Sequence, residues 1–177
     1  TPNCSSAASD VYKRQGYTRD VAAMQVQNWK EQNLKVVFTN GVFDLLHVGH
    51  LKVLEAAATC GDRLVVAVNS DASVKRLKKG SNRPIHPQVH RARLLAAFRC
   101  VNAVVVFDED TPLSLVQQFK PDVLVKGGDY EADCTDSSDP RYVVGSKDVK
   151  LWGGQVVVVP LATGQSTTAT VAKIRNS

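Results

Sequence analysis

The sequence predicts an α/β fold in which a mainly parallel five-stranded sheet is covered by helices on both faces. Five short runs of β-branched and other apolar residues recur along the chain, at residues 35–39, 64–69, 103–107, 123–126 and 156–160. These runs are apolar throughout rather than alternating, which is typical of parallel strands covered on both faces. Segments with helical periodicity lie between the runs, and alternating strands and helices build parallel sheets through right-handed crossovers.

Helices are predicted at residues 50–60, 87–99, 112–119 and 167–175. In the first of them Leu51, Leu54 and Ala58 fall on one face at i, i+3 and i+7, and Gly61 supplies a C-terminal stop. Residues 129–142 combine Asp, Ser and Pro with little periodicity and are expected to form a long surface loop. The pattern as a whole predicts a Rossmann-like, doubly wound sheet in a single domain.

The chain divides by composition into three parts, residues 1–19, 20–33 and 34–177. The first part is polar and aperiodic, and we expect a disordered or non-native lead-in there. The second part is expected to contain a short amphipathic helix with Val21, Met24 and Trp29 on one side. The third part holds every predicted strand and forms the main domain.

Charge and composition limit the classes of partner. The chain has 22 Lys+Arg against 17 Asp+Glu, and this excess fits an anionic partner, either a polyphosphate ligand or nucleic acid. Aromatic residues amount to only 6% and do not interleave with the basic ones, which argues against a stacking surface for single-stranded nucleic acid. We therefore expect a polyphosphate ligand and no nucleic acid.

Cysteine usage and hydropathy bear on the compartment. The four cysteines are Cys4, Cys60, Cys100 and Cys134, and none forms a Cys-x-x-Cys pair. That spacing indicates free thiols in a reducing compartment. No apolar run approaches the length of a membrane span, and the first ten residues contain no signal-peptide core. The expectation is a cytoplasmic protein without a membrane partner.

The segment at residues 39–50 follows the first predicted strand and contains the strongest chemical signal. Ligands of open α/β sheets bind outside the carboxyl ends of the strands. Gly41 permits a tight turn, and Gly49 lets the next helix begin close to a ligand, where the helix N-terminus favours an anion. His47 and His50 flank that point and can donate hydrogen bonds to phosphate oxygens. When protonated, they would stabilise the charge on a leaving pyrophosphate.

The alternatives for the two histidines are a metal-binding pair and ordinary surface residues. Their separation by three residues does not match the i, i+4 pair of His-Glu-x-x-His, and no cysteine cluster accompanies them. Phosphate binding is therefore the preferred interpretation, and no protein metal site is expected.

Residues 40–50, Asn-Gly-Val-Phe-Asp-Leu-Leu-His-Val-Gly-His, resemble the His-x-Gly-His signature of the cytidylyltransferase-like nucleotidyltransferases. The likeness extends over about residues 36–174. Further segments resemble the D-glycero-β-D-manno-heptose 1-phosphate adenylyltransferase branch, at residues 69–73, 75–78, 83–84, 126–130, 145–147 and 164–168. That branch occurs alone or as the C-terminal half of a bifunctional kinase/adenylyltransferase.

The resemblance implies that AMP passes from ATP to a sugar 1-phosphate, giving an ADP-sugar and pyrophosphate by direct in-line displacement. It also implies a homodimer, and Mg²⁺ that arrives with ATP rather than in a protein cage. The expected catalytic residues are His47, His50 and Lys126. The expected nucleotide and phosphate ligands are Thr39, Asn40, Gly41, Phe43, Gly49, Arg91, Gly127, Ser166, Thr167 and Thr168. The acceptor candidates are Asp44, Lys75, Lys78 and Asp129.

Several of these residues have a plain structural alternative. A lysine at a strand end, such as Lys126, is often a solvated charge, and the basic run that includes Lys75 is of a kind that is usually solvated. Asp44 sits in a turn, where an aspartate is as often an Asx-type hydrogen bonder. Residues 164–168 can cap the last helix and bind phosphate together, since a cap near the first loop is also a phosphate site. Arg91 matches an arginine of the family, but Val89 and His90 stand where the family usually has acidic or amide residues.

Other functions of α/β proteins are less consistent with these motifs. A dehydrogenase and a P-loop kinase are disfavoured because neither Gly-x-Gly-x-x-Gly nor Gly-x-x-x-x-Gly-Lys-Ser/Thr occurs. A CTP-dependent cytidylyltransferase for glycerol phosphate or an amino-alcohol phosphate is the enzyme alternative. Such relatives tend to carry an arginine shortly before the Gly-x-Ser-Thr-Thr segment, and residues 160–163 contain none. A non-catalytic nucleotide-binding module is the third possibility, although a sensor need not keep His47, His50, Lys126 and Thr167.

Overall fold

The computed structural model describes residues 18–77, 82–160 and Thr167. The strands are β1 (Val36–Gly41), β2 (Arg63–Asn69), β3 (Ala103–Phe107), β4 (Val123–Gly127) and β5 (Gln155–Val159). The helices within these residues are α1 (Arg19–Glu31), α2 (Val48–Ala58), α3 (Asp71–Arg76), α4 (Gln88–Ala96), α5 (Leu113–Phe119) and α6 (Ser146–Leu151).

All five strands run parallel, in the order β3-β2-β1-β4-β5. The first three strands extend the sheet in one direction, and the chain then returns to place β4 on the other side of β1. This reversal creates a crevice at the carboxyl ends of β1 and β4, which is where open α/β sheets bind ligands. The predicted doubly wound, five-stranded sheet is confirmed.

Alternate residues of each strand face opposite helical layers. In β1, Val36 and Phe38 pack with α1, α5 and α6, whereas Val37 packs with α2 and α4. The Phe38 ring meets Phe119 of α5 edge-on, with their ring centroids 6.1 Å apart. Because both faces of the sheet are covered, the central strands are mostly apolar on both faces, as the sequence predicts. The edge strand β5 is half-exposed along most of its length.

Helix α1 packs on the sheet through a face different from the one predicted. Its buried residues are Ala22, Val26 and Trp29, whereas Val21 is 46% exposed and Met24 is 73% exposed. Trp29 carries the largest apolar surface of the helix, and burying it turns the residues three and seven positions earlier toward the core. The predicted position of Trp29 is thus correct, and those of Val21 and Met24 are wrong.

The start of α1 lies earlier than the predicted end of the lead-in. Thr18 is the N-cap, and Arg19 is the first helical residue. The Arg19 guanidinium also pairs with the Glu109 carboxylate at 2.6 Å, so residue 19 belongs to the folded domain. Residues 1–17, and the predicted helix at residues 167–175 apart from Thr167, lie outside the described residues.

Two helices, α3 and α6, were not predicted. Each has only six residues, which is too short to show a helical period. The segment at residues 129–142 contains one isolated bridge, between Glu131 and Tyr142, but no helix or longer strand, and it lies largely on the surface as predicted.

The described residues include three of the four cysteines. Cys60, Cys100 and Cys134 are free thiols, and Cys4 is not among the described residues. None of the helices that the structure describes is both long and apolar enough to cross a bilayer. Within residues 18–77 and 82–160, no group of three or more His, Cys, Asp or Glu side chains could hold a metal ion.

Candidate active site

The carboxyl ends of β1 and β4 meet the N-terminus of α2 at the crevice. Helix α2 lies across both strands, and Gly127 at the end of β4 makes this close approach possible. A Cβ atom on Gly127 would come within 2.5 Å of the Val53 side chain of α2. The predicted residue Gly127 therefore sets the distance between the helix and the strand.

The histidine loop, which we define as residues 40–50, ends in a paired cap of α2. The Nδ1 atom of His47 accepts a hydrogen bond from the Gly49 amide at 3.1 Å, and the Nδ1 atom of His50 accepts one from the His47 amide at 3.4 Å. The two ring centroids lie 4.0 Å apart. An Nδ1 atom that accepts must lack a proton, so each neutral imidazole carries its proton on Nε2. Both rings are thereby set to donate through Nε2.

The surroundings of the two histidines favour their neutral form, whereas the leaving-group role considered from the sequence used the protonated form. Burial lowers the pKa of His47. Burial also lowers the pKa of His50 to about 4, helped by the positive charges of His47 and Arg83. Both rings are therefore neutral near pH 7, and protonation would also displace the amide hydrogen bonds at Nδ1. The pair offers two neutral N–H dipoles rather than two cations.

The N-terminus of α2 adds to these donors. The helix has 11 residues and no acidic residue in its first turn, so its positive end is not neutralised locally. The Phe43 ring lies 5.4 Å from the His50 ring and is 5% exposed, although its backbone has a φ of 49°. Phe43 therefore supports the His50 ring from inside rather than facing a ligand.

Lys126 stands on the other side of the crevice, at the end of β4. Its Nζ atom lies 3.0 Å from Oδ1 of Asn40 and 5.3 Å from the centroid of the Tyr130 ring. The side chains of Lys126 and Asn40 are half-buried and line a common cleft, whereas the neighbouring Thr39 is 1% exposed within the sheet.

The cleft has a volume of about 240 Å³ and lies over the carboxyl ends of β1, β2 and β4. Its polar and aromatic lining includes Asn40, Asn69, Asp110, Lys126, Tyr130 and Tyr142. Residues 40–42 belong both to the cleft and to the histidine loop. The site thus has two compartments, the α2 N-terminus with its histidines and the cleft with Lys126, joined along the end of β1.

The guanidinium group of Arg91 bonds to groups of the protein behind the histidine loop. The residue is completely buried in α4, and its three nitrogen atoms donate to His86 O at 2.9 Å, Val42 O at 2.6 Å and Asp71 Oδ1 at 2.7 Å. These contacts hold the start of the histidine loop against α3 and α4. Arg91 therefore lies behind the loop and outside the cleft lining, and its role in triphosphate binding stays a prediction.

Asp44 has a similar internal position. The residue is 1% exposed, and its carboxylate accepts from the amides of Ile85 and His86 at 2.8 Å and forms an ion pair with Arg83. Asp44 is thus a hydrogen-bonding residue, but its partners are distant in sequence and not in its own turn, as an Asx-type bond would require. These three partners belong to residues 83–86.

The remaining predicted site residues have fewer contacts with the two compartments. Lys75 on α3 and Asp129 after β4 are both exposed, and neither is part of the cleft lining. The Thr167 hydroxyl donates to the Leu45 carbonyl at 3.3 Å, which places Thr167 against the histidine loop. The predicted residues Lys78, Ser166 and Thr168 lie outside the described residues.

Four polar or aromatic residues of the cleft, Asn69, Asp110, Tyr130 and Tyr142, were not among the predicted site residues. Asp110, Tyr130 and Tyr142 come from two loops that are far apart along the chain. Asn69 and Tyr130 fall in segments that resemble the heptose branch, residues 69–73 and 126–130. Asp110 and Tyr142 belong to no such segment, and their available signal was a position in loops that follow predicted strands.

Two histidine N–H donors lie at a helix N-terminus, where the strand order of a parallel sheet reverses. This arrangement is typical of α/β proteins that bind phosphate. Comparison with known proteins identifies the class as nucleotidyltransferase. The model of the cytidylyltransferase-like family matches residues 38–171, and the chain belongs to that family. The histidine loop and Lys126 both fall within the matched region.

Similar curated proteins include two bacterial examples named bifunctional protein HldE. The chain is 47% identical over 163 residues to the protein of Acidiphilium cryptum, covering 92% of this chain and 32% of the relative. It is 53% identical over 154 residues to that of Mesorhizobium japonicum, covering 87% of this chain and 29% of the relative. The chain thus spans about a third of the length of these relatives.

Two solved structures share the fold. A lipopolysaccharide core biosynthesis protein from Thermoplasma volcanium superposes with a TM-score of 0.55 at 25% identity, covering 75% of this chain and 99% of the other. A pantoate-beta-alanine ligase from Francisella tularensis superposes with a TM-score of 0.51 at 13% identity, covering 82% of this chain and 67% of the other. The second likeness concerns the fold alone.

Proposed function

We propose that this chain transfers AMP from ATP to a sugar 1-phosphate, with D-glycero-β-D-manno-heptose 1-phosphate as the favoured acceptor, and releases pyrophosphate. The observation that carries the proposal is the junction of two compartments along residues 40–42. One compartment offers N–H donors at a helix N-terminus, and the other offers Lys126 in a cleft. The segments that resemble the heptose branch support the choice of donor and acceptor.

The two compartments match the geometry of an in-line displacement. In such a reaction the attacking and leaving oxygens lie on opposite sides of the phosphorus. The α-phosphate would lie at residues 40–42, with the pyrophosphate toward His47 and His50 and the attacking acceptor phosphate in the cleft near Lys126. The acceptor phosphate is already ionised, so no general base is needed, and positioning supplies much of the catalysis.

The histidines would act on the leaving group. Each would donate a hydrogen bond from Nε2 to the leaving group, and the ring orientations are fixed in advance by the amide contacts at Nδ1. Preorganised donors of this kind stabilise developing charge without reorganising during the reaction. Mg²⁺ brought in by ATP is compatible with these residues, because phosphate oxygens and water can supply the ligands of the ion. The ion would neutralise part of the phosphate charge.

Pyrophosphate release tests the proposal directly. The protein is incubated with each nucleoside triphosphate and a panel of acceptors that includes heptose 1-phosphate and glycerol 3-phosphate. Release is expected with ATP and heptose 1-phosphate. Activity with CTP and glycerol 3-phosphate alone would replace the proposal with the cytidylyltransferase alternative. Tight ATP binding without release for any acceptor would favour the non-catalytic module.

The proposal extends to the assembly and location of the protein. We propose a homodimer in the cytoplasm, where ATP is supplied, on the strength of the family resemblance. Sedimentation at micromolar concentration would distinguish a dimer from a monomer.

A further inference from the structure

We infer that Asp110, held in place by Arg76, recognises the hydroxyl groups of the acceptor sugar at the end of the cleft remote from Lys126. The inference rests on the proposed function and specifies which part of the acceptor the cleft selects.

The positions of the two charged residues define the length of the ligand. Lys126 ends β4, and Asp110 follows the end of β3 by three residues. Strands β1 and β2 lie between β4 and β3, so the two attachment points are three strand spacings apart, about 14 Å. Both side chains reach back into one cleft and shorten this distance. A ligand that meets both residues must therefore be elongated, with different chemistry at its two ends.

The charges at the two ends of the cleft are opposite. Lys126 suits a phosphate, whereas the carboxylate of Asp110 repels a second anionic group and accepts hydrogen bonds from hydroxyls. The side chain of Asp110 is 65% exposed, so a ligand can reach it. Its Oδ1 atom accepts from Nε of Arg76 at 2.6 Å, which fixes the orientation of the carboxylate. Asp110 lines the cleft and Arg76 does not, so the carboxylate presents its remaining acceptor positions to a diol while Arg76 orients it.

The wall between the two ends is aromatic. Tyr130 and Tyr142 are half-buried and contribute to the cleft lining. Their rings can cover the C–H face of a pyranose while their hydroxyl groups bond to polar atoms. An apolar wall with a few fixed polar groups is the usual composition of a small-molecule site.

These features specify the class of acceptor. The phosphate on C1 of the pyranose would lie at Lys126, the ring would lie along the tyrosines, and the exocyclic hydroxyls would reach Asp110. The exocyclic chain of a heptopyranose has one more hydroxyl-bearing carbon than that of a hexopyranose, and the additional hydroxyl would fall at the Asp110 end. Asp110 would therefore contribute to the discrimination between heptose and hexose acceptors.

The experiment combines binding with steady-state kinetics for Asp110→Asn, with Asp133→Asn as the control. Asp133 is 93% exposed, pairs with Lys150 and does not belong to the cleft lining. Calorimetric titration with heptose 1-phosphate in the absence of ATP is expected to show about tenfold weaker binding for Asp110→Asn, because a charged acceptor is lost. The KM for ATP is expected to change less than about twofold, since Asp110 lies away from the histidines. The control should match the unmodified protein.

A second acceptor, mannose 1-phosphate, tests the selectivity. The preference for heptose 1-phosphate over mannose 1-phosphate should shrink in Asp110→Asn. If Asp110→Asn binds heptose 1-phosphate as tightly as the unmodified protein, the inference is overturned even where turnover is normal. If no triphosphate supports turnover, the proposed function fails, and the titration still decides whether Asp110 contacts the sugar. An Asp110→Glu variant, which keeps the carboxylate, is expected to retain part of the affinity.

Discussion

Two groups of polar residues meet at the same edge of the sheet and behave in opposite ways. In the histidine loop, His47 and His50 use Nδ1 for the backbone and keep Nε2 as an outward donor. In what we call the support network, formed by Asp44, Asp71, Arg83 and Arg91, the charged groups contact one another and nearby backbone atoms. The difference shows that a charged residue can lie near a phosphate site without contacting phosphate.

The two groups should therefore respond differently to substitution. Removing a group that contacts the ligand should affect catalysis and leave folding largely intact. Removing one member of a buried pair should affect folding first, because its partner is left buried without a counter-charge.

The largest expected effect is that of Arg91→Ala. It removes the counter-charge of Asp71, which is 35% exposed and keeps its hydrogen bond from the Gln88 amide, and it leaves the carbonyls of Val42 and His86 without this donor. Unpaired buried groups cost about 1–3 kcal/mol each, which gives about 3–5 kcal/mol in all. At about 2–4 °C per kcal/mol for a chain of this size, the melting temperature should fall by roughly 6–20 °C. Thermal unfolding followed by circular dichroism measures the change.

Arg93→Ala is the matched control, because Arg93 lies on the exposed side of the same helix. It should leave the melting temperature nearly unchanged. Should Arg91→Ala retain its stability but lose affinity for ATP, Arg91 would belong with the ligand-contacting group, as the family resemblance implies. An Arg91→Lys variant serves the same comparison if the alanine variant does not fold.

The next effect in size is that of His50→Ala on the rate. Loss of one preorganised donor to the leaving group should lower kcat by about 10²–10³-fold, while the KM for ATP changes little. Steady-state measurement of pyrophosphate release gives both quantities. His90→Ala is the control, since His90 is exposed on α4. Near-normal turnover of His50→Ala would move His50 into the structural group.

The smallest effect concerns pH. The pKa of His50 in the folded chain is about 4, below the ordinary value of 6.5, so the fold favours the neutral ring. An unfolded chain binds a proton at higher pH than the folded chain does, and the contribution of His50 to stability is therefore lost as the pH falls from 6.5 to about 4. The melting temperature should decline across this window, and it should decline less in His50→Gln. An NMR titration of the His50 ring with a midpoint near 6.5 would contradict the neutral donor.

The sequence predicted the fold class and all five strands, because buried parallel strands leave long apolar runs that few other structures produce. It did not predict α3 or α6, which are fixed by local caps and by contacts with neighbouring loops rather than by a period. For α1 the sequence predicted a helix but the wrong buried face. Its choice of face depends on where Trp29 packs in three dimensions.

The site was predicted in part, and the reason is again physical. His47, His50 and Lys126 were identified from their motif and their strand-end positions, and the structure brings them to one crevice. The positions of Asp44 and Arg91 depend on backbone carbonyl and amide groups that come close only after folding, and no spacing of residue types records those contacts. The neutral state of the histidines likewise depends on burial and on the nearby charge of Arg83.

The loop at residues 129–142 is held by hydrogen bonds at its base, whereas its tip is exposed. The Glu131 amide bonds to the Arg141 carbonyl at 2.9 Å, and Lys150 binds the Ala132 carbonyl at 2.7 Å, so both ends are tied down. Lengthening a closed loop is inexpensive, at about 0.6 kcal/mol for each doubling. Residues 135–138 at the tip should therefore tolerate insertion of a short peptide tag or a fluorescent reporter. A fluorophore placed there would sit within a few residues of Tyr142 and could signal filling of the cleft without touching the sheet.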